Sequence, residues 1–342
     1  MKRLISVVVL AAGIVLGSNA MASEWNFYGN ARIQTFWSDV DDGSDSSETN
    51  FSESLQGNSR IGAKVKVSDE LIGRFEYGAK NGTANIRHLY GEWDFGSGKL
   101  LVGQTDSLVK FSFSNQVYDD DEAMDHYGHV NADRRPMIRF TFGDFQIAAI
   151  SPRVDDLGAD ETQVIMPKLE AKYELSMDTF SLVAAAGYQT YEVTAGSDDF
   201  DVHSYVLTVG GKVNFGPAYL GADAYWGQNV GPYGLKIQAD ADPVLSNGEL
   251  EDNDAYGLMG LVGFEVNDTL AFEAGIGYVS AELDTDASNE DDAMAYYLQA
   301  TITLTKGVFI VPEIGMLDYL DNAGGVDEGD VFYYGMKWQI NF

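Results

Sequence analysis

The chain of 342 residues contains no cysteine, only seven prolines and four histidines. The absence of cysteine excludes disulfide bonds, thiolate metal sites and cysteine nucleophiles. Basic residues are also scarce, because 21 lysines and arginines stand against 53 acidic residues and give a formal charge of -32. This balance argues against partners that need a cationic surface, such as nucleic acid or anionic lipid headgroups. Beyond the first 20 residues, no apolar run has the roughly 20 residues that a membrane-spanning helix needs.

The N-terminus has the composition of a secretory signal peptide. Lys2 and Arg3 supply positive charge, residues 4–17 form an apolar run, and Ala20-Met21-Ala22 follows the small-x-small pattern of a cleavage site. The sequence therefore predicts a signal peptide over residues 1–22 and an exported chain over residues 23–342. Because cleavage removes two basic residues and no acidic one, the formal charge changes from -32 to -34.

Apolar and polar residues alternate with a period of two along the exported chain, as they do in half-buried β-strands. The last strand is the clearest case, since apolar residues occupy every second position from Phe332 through Met336 and Trp338 to Phe342. Residues 58–67 and 168–175 repeat the pattern. Helical periodicity is absent, so we expect an all-β protein.

Two kinds of connection separate these strands. Short turns rich in Gly, Asn, Asp and Ser are expected at 68–70, 96–99, 143–144, 176–178, 216–217, 267–269 and 305–307. Longer polar loops are expected at 38–57, 80–85, 107–134, 153–166, 194–200, 229–251, 282–292 and 320–330. Seven short turns alternating with eight loops make fifteen connections, and therefore sixteen strands with both termini on the short-turn side.

This sorting of connections by length is typical of an outer-membrane barrel and is not expected of a soluble β-sandwich. Hydrocarbon offers no water to an open sheet edge, so the sheet must close. Closure of so many strands leaves an aqueous lumen rather than a packed interior. We therefore predict a 16-stranded antiparallel transmembrane β-barrel with short periplasmic turns and long extracellular loops.

Three segments make the chain similar to the Gram-negative general diffusion porins, the sixteen-stranded trimeric type. They are Glu24–Gly29 in the first strand, Leu101–Ser107 before the third loop, and the terminal Trp338–Phe342. The resemblance implies that the third loop, about 107–134, folds inward to narrow a pore. It also implies a homotrimer, and a C-terminal Phe342 that is read by the barrel-assembly machinery. Two features depart from the family: Gln104 stands where porins usually carry Arg, and the loop lacks their Pro-Glu-Phe-Gly-Gly stretch.

Given a porin lumen, strand parity places basic side chains on the inner wall. The pore-lining basic residues are expected to be Arg32, Arg60, Lys64, Arg74, Arg139 and Lys168. The acidic residues of the constriction loop are expected to be Asp119, Asp120, Asp121, Glu122 and Asp125. Regular alternation points Arg87 outward, so its charge requires either a bulge that turns it inward or a position at the rim of the barrel. Opposed charges across a water-filled opening favour small polar solutes and set ion preference; the alternative is that they only keep the lumen hydrated.

The expected function is passive diffusion of small hydrophilic solutes and ions, with weak cation selectivity. A substrate-specific channel for sugars or phosphate is the nearer alternative. An outer-membrane barrel enzyme is the more distant one, because the sequence has no Gly-x-Ser-x-Gly, His-Glu-x-x-His or Walker motif. His126 and His129 have the spacing of paired metal ligands, but no further histidine or cysteine completes a site. We therefore predict neither catalytic residues, nor a bound metal at these histidines, nor a cofactor.

Acidic residues crowd the loops on the predicted outer surface. Such clusters suit Ca²⁺ or Mg²⁺, which can bridge to lipopolysaccharide phosphates; the alternative is a solvated, self-repelling surface. The expected partners are further copies of the chain, outer-membrane lipid, lipopolysaccharide and the barrel-assembly machinery, but not nucleic acid. A flat subunit contact is predicted from small or polar outward residues, namely Gly29, Ala31, Thr35, Gly62 and Ala63. The acidic loop residues are Asp41, Asp42, Asp45, Glu48, Asp240, Asp242, 249–254, 290–292 and 327–330.

Overall fold

The computed structural model describes residues 23–41, 43, 47–285 and 290–342, and the predicted signal peptide over 1–22 lies outside these ranges. No helix in the described ranges is long and apolar enough to cross a membrane. Two single-turn helices occur there, α1 (Tyr118–Asp121) and α2 (Val230–Tyr233), with one 3-10 turn at Lys80–Gly82. The strands are β1 (Glu24–Asp41), β2 (Ser47–Leu55), β3 (Arg60–Lys66), β4 (Leu71–Gly78), β5 (Asn85–Asp94), β6 (Lys99–Asp106), β7 (Arg134–Phe142), β8 (Phe145–Ile150), β9 (Glu161–Gln163), β10 (Lys168–Ser176), β11 (Phe180–Ala195), β12 (Asp198–Phe215), β13 (Ala218–Gln228), β14 (Val244–Ser246), β15 (Glu249–Glu251), β16 (Asn253–Asn267), β17 (Leu270–Leu283), β18 (Asp291–Thr305), β19 (Val308–Asp318) and β20 (Asp330–Asn341).

These twenty segments of the described chain form sixteen barrel strands. β14 and β15 pair only with each other. β2 and β3 pair with successive parts of β1 and make one barrel strand, and β9 and β10 do the same along β11. Removing the hairpin and merging the two pairs leaves sixteen, and β20 closes the ring by pairing antiparallel with both β19 and β1. The predicted 16-stranded antiparallel barrel is confirmed.

The connections are sorted by length, as predicted. Within the described ranges, short turns at 67–70, 95–98, 143–144, 177–179, 216–217, 268–269 and 306–307 lie at one end of the barrel. Two predicted loops are shorter than expected, since β1 continues to Asp41 and β11 meets β12 across residues 196–197 alone. The polar side chains of these two segments predict loops exposed to water. The strands nevertheless continue through them, because backbone pairing does not require apolar residues.

Alternate residues face opposite sides of the wall. On β16, Tyr256, Leu258 and Val262 are exposed on the outside, whereas Met259 and Leu261 are buried on the inside. This period of two presents an apolar surface to lipid and the other half of each strand to the lumen. Gly62 corrects one prediction, because a Cβ on it would lie 2.9 Å from the inward hydroxyl of Tyr28, so Gly62 faces the lumen.

Several inward tyrosines lie flat against glycines of the neighbouring strand. A Cβ on any of these glycines would come within 3.0 Å of the tyrosine ring, so only glycine allows the ring to rest on the wall. The directly paired residues are Tyr219 with Gly263, Tyr225 with Gly257, Tyr297 with Gly275, and Tyr333 with Gly315. The rings thereby leave the lumen free for the loops that enter it.

Candidate functional site

Loop 3, residues 107–133, folds into the barrel as expected. Val109, Val117 and Val130 of the loop are buried, and they belong to the same apolar cluster as wall residues such as Val279 and Val311. The loop therefore packs against the inner wall of the barrel.

Four buried carboxylates of the wall hold the backbone of loop 3. Glu170 accepts the Leu108 N–H at 2.7 Å, and Glu273 accepts the Asn115 N–H at 2.8 Å. Two of these carboxylates also accept a hydrogen bond from a tyrosine hydroxyl: Tyr233 donates to Glu170 at 2.7 Å and Tyr297 to Glu273 at 2.6 Å. The other two anchors are Glu313, which accepts the N–H of Val117 at 2.7 Å, and Asp223, which accepts that of Val130 at 3.2 Å.

None of these four anchors is among the site residues predicted from the sequence. Their only signal is an isolated acidic residue on the inward parity of a strand, as at Glu170, and that pattern looks the same for a side chain that faces water. Each of the four accepts an N–H group from a different stretch of loop 3. The anchors therefore fix the path of loop 3 across the lumen.

Three consecutive aspartates at the tip of loop 3 adopt left-handed backbone conformations, with φ of 49° at Asp119, 69° at Asp120 and 61° at Asp121. Such conformations are costly for residues other than glycine and persist where the surroundings compensate for them. Asp121 pairs with Arg32 and, at 2.9 Å, with Lys337. Asp120 accepts the backbone N–H of Gly57. Asp119 lines a separate small cavity together with three tyrosines, Tyr118, Tyr127 and Tyr319.

Glu122 and Asp125 share one cation. Lys236 of loop 6, residues 229–252, lies 2.7 Å from Glu122 and 3.3 Å from Asp125. Burial raises the pKa of Glu122. Burial opposes the charge of Lys236, but the carboxylates of Asp125 and Glu122 outweigh it and raise the pKa of Lys236. Lys236 therefore stays protonated. Its pairing with Glu122 and Asp125 is not among the predictions, because the sequence predicts that loop 6 lies outside the barrel.

Three wall arginines converge on a buried acid, Glu76. Arg87 lies 2.7 Å, Arg74 2.8 Å and Arg60 3.6 Å from its carboxylate. Arg87 reaches this position through a bulge on β5, because Glu76 pairs with His88 whereas the adjacent Tyr77 pairs with Ile86. The structure thus supplies the bulge that an inward Arg87 requires.

The other expected wall residues are placed differently. Arg139 pairs with Glu92 at 3.3 Å, and Lys64 lies opposite Arg74 on the neighbouring strand. Lys168 faces inward, but its side chain is 1% exposed, 4.1 Å from the ring centre of Tyr233 in loop 6. Lys168 therefore supports loop 6 and does not line an opening, which corrects the sequence prediction for this residue.

Loop 3 and strands β3 to β7 enclose a cavity of about 570 Å³, which we call the passage. Eight of its lining side chains are basic and six are acidic, so its formal charge is +2 in a chain with a total of -32. The basic residues are Arg60, Arg74, Lys80, Arg87, Lys110, Arg134, Arg135 and Lys236. The acidic residues are Asp106, Asp120, Asp121, Glu122, Asp125 and Asp133. Four of the five predicted acids and two of the six predicted bases thus line one opening.

A second cavity, of about 600 Å³, lies at the loop end of the barrel. We call it the acidic mouth, and its acidic residues are Asp41, Asp292, Asp318, Asp321, Asp327 and Asp330. Asp42 and Asp45 lie outside the described residues. In the part of the chain that the structure describes, no group of three or more His, Asp or Glu side chains is arranged to hold a metal ion. The geometry therefore adds no support to the predicted Ca²⁺ or Mg²⁺.

The histidines do not form a paired site. His129 binds Asp223 at 2.7 Å in the interior, whereas His126 lies 3.7 Å from Glu122. His88 contacts Thr105 at 3.0 Å, and His203 contacts Tyr188 at 3.1 Å. Each histidine thus has its own partner in the wall or the loop.

Comparison with known proteins agrees with this architecture. A family model described as Gram-negative porin matches residues 6–322, and no curated protein sequence matches the chain. The outer membrane channel DcaP of Acinetobacter baumannii is 17% identical, with a TM-score of 0.76 over 95% of this chain and 99% of that one. The trimer form of OmpT of Vibrio cholerae is 16% identical, with a TM-score of 0.61 over 93% and 99%. An anion-selective porin from Comamonas acidovorans is 15% identical, with a TM-score of 0.60 over 94% and 100%.

The family match spans most of the chain, and the structural matches share its barrel over nearly their whole length. The protein is therefore a non-enzymatic channel of the outer membrane, and the resemblance noted in the sequence is confirmed. The chain belongs to the Gram-negative porin family.

Proposed function

We propose that the protein provides a water-filled route for passive diffusion of small hydrophilic solutes and ions. The observation that carries this proposal is the passage, where charges of both signs face one another between loop 3 and the wall. Opposed charges order water and admit polar solutes more readily than apolar ones. The predicted lining residues Arg60, Arg74, Asp120, Asp121 and Glu122 would act here as the charged rim.

We propose weak cation selectivity that fades as salt rises. The acidic mouth concentrates cations before they reach the passage. That effect is screened beyond about 8 Å at physiological ionic strength. The passage itself has two more basic than acidic side chains, so it opposes the preference of the acidic mouth for cations and keeps the cation selectivity of the channel weak.

Single-channel recording in planar bilayers tests both statements. We expect discrete conductance steps and a reversal potential under a salt gradient that favours cations at low salt and declines at high salt. The absence of conductance steps would contradict the channel. Saturable block by a sugar or by phosphate would instead favour the substrate-specific alternative.

We further propose that the chain is exported, with residues 1–22 removed, and assembles as a homotrimer. The outward surface of β1 includes Ala31 and Thr35, which suit a flat contact between subunits better than contact with lipid, whereas the predicted contact residue Gly29 is covered by the Phe342 ring. A species that migrates as a trimer in detergent until it is boiled, and whose N-terminus is Ser23, is the expected result. A monomer at every concentration in mild detergent would contradict the trimer. Outer-membrane lipid, lipopolysaccharide and the barrel-assembly machinery are the proposed further partners.

A further inference from the structure

Loop 6 enters the barrel beside loop 3. Leu235, Ala239 and Ala241 of loop 6 are buried in the same apolar cluster as loop 3. The two loops also share backbone hydrogen bonds: the Lys236 N–H donates to the Asn131 carbonyl at 2.9 Å, and the Gln238 N–H donates to the His126 carbonyl at 2.9 Å. Loop 6 is thus paired to loop 3.

The wall also holds loop 6 directly. Lys168 donates to the Tyr233 carbonyl at 3.2 Å, and Gln189 donates to the Pro232 carbonyl at 2.9 Å. The Tyr233 hydroxyl reaches Glu170, which also anchors the start of loop 3. These contacts lie just before Lys236 in the chain and so determine where its side chain enters the lumen.

Lys236 is the main cationic partner of two passage carboxylates. Among the described residues, Asp125 has no other ion pair, and Glu122 has only His126, at 3.7 Å. The Lys236 side chain is 19% exposed and lines the passage. If its charge is removed, both carboxylates face the passage without their cation, and the formal charge of the passage falls from +2 to +1.

We propose that loop 6 is a second constriction element and that Lys236 determines the ion preference of the passage by neutralising Glu122 and Asp125. The proposal rests on the channel function proposed above. It assigns selectivity to a residue outside loop 3 and outside the barrel strands.

Reversal potentials of Lys236→Gln at low salt test this proposal. We expect the cation-to-anion permeability ratio to rise by about two- to fivefold, because the two carboxylates lose the lysine cation that contacts them. Lys236→Arg retains the charge and should behave as wild type. Lys172→Gln is the matched control, since Lys172 is also an inward lysine, 16% exposed and 3.1 Å from Glu174, but does not line the passage.

Removing the partners tests the same pairing with the opposite sign. Glu122→Gln combined with Asp125→Asn leaves Lys236 unbalanced and should shift the ratio toward anions. Adding both changes to Lys236→Gln raises the formal charge of the passage to +3, so the ratio should pass the wild-type value toward anions but by less than in the double acidic variant, where the charge is +4. If neither Lys236→Gln nor the double acidic variant changes the ratio while conductance persists, the inference is wrong and the channel function stands. A wild-type protein without conductance would overturn the channel function instead.

Discussion

Glu313 illustrates how single residues of the wall set the shape of the lumen. It is 4% exposed on β19, and its two carboxylate oxygens accept the N–H groups of Val117 at 2.7 Å and Tyr118 at 2.9 Å. A buried carboxylate is tolerated only when its oxygens are hydrogen-bonded, and backbone amides of loop 3 meet that requirement. The acid and the loop therefore stabilise each other.

Glu313→Gln should loosen loop 3. Glutamine offers one acceptor oxygen to two N–H groups, and its amide group turns a donor toward one of them. The unsatisfied contact should cost about 1–3 kcal/mol of local stability. We expect larger and noisier single-channel currents, together with faster proteolysis within 107–133 of the folded barrel.

Glu265→Gln makes the same chemical change at an exposed position of β16 beside a short turn. It should leave current and proteolysis unchanged. Wild-type noise and protease resistance in Glu313→Gln would mean that this carboxylate does not hold the loop.

At the scale of elements, the loops differ in how far the sequence predicts them. The short turns follow from turn chemistry, whereas the inward fold of loop 3 and its acids at 120–125 follow from the resemblance to porins. The entry of loop 6 does not follow, because a polar loop has the same composition in outside water and in a hydrated barrel. The wall anchors Glu170 and Glu313 have a predictable strand parity, but their partners come from another part of the chain. Lys236 lies in a loop, so the sequence predicts neither its direction nor its partners.

Neutralising the tip of loop 3 should shift selectivity toward anions. Asp121 balances Arg32 and Lys337, so its loss leaves two lumen cations unpaired. Asn and Gln keep the side-chain shape and an acceptor oxygen, so the change is mainly one of charge. The variant combines Asp119→Asn, Asp120→Asn, Asp121→Asn and Glu122→Gln, and the readout is the reversal potential at low salt.

The matched control removes four acidic charges near the short turns, far from loop 3. Its changes are Asp144→Asn, Asp178→Asn, Asp268→Asn and Glu265→Gln, and we expect a smaller shift. Equal selectivity of the loop 3 variant and the wild type at low salt would show that this tip does not line the narrow part of the pore.

For the molecule as a whole, the fold sorts charge by position. A total of -32 indicates an acidic protein, yet the passage has a formal charge of +2 and the acidic mouth holds six aspartates. Strand parity and loop insertion decide which side chains meet in the lumen. Net charge therefore predicts the behaviour of the outer surface better than that of the passage.

Phe342 extends the seam between β1 and β20 that closes the barrel. The Gly29 N–H donates to the Phe342 carbonyl at 2.8 Å, and the Phe342 N–H donates to the Gly29 carbonyl at 3.0 Å. The Phe342 ring also covers Gly29, where a Cβ would lie 2.6 Å from it. An aromatic ring over a glycine of the neighbouring strand shields backbone that would otherwise be exposed.

Deleting Phe342 should therefore impair assembly, although removal of a terminal residue usually has little effect. The deletion removes these two backbone hydrogen bonds at one end of the seam between β1 and β20 and uncovers the backbone of Gly29 on the outward face, where unsatisfied groups in hydrocarbon are costly. We expect most of the protein to accumulate as periplasmic aggregate, measured by fractionation and by loss of the heat-modifiable band.

Two variants serve as controls. Phe342→Tyr should assemble normally because it keeps the ring and the backbone. Phe142→Ala removes another outward ring beside a short turn without touching the seam. Normal surface levels of the deletion variant would mean that the barrel closes without its terminal residue; equal losses in the deletion and in Phe142→Ala would point to a general need for lipid-facing rings.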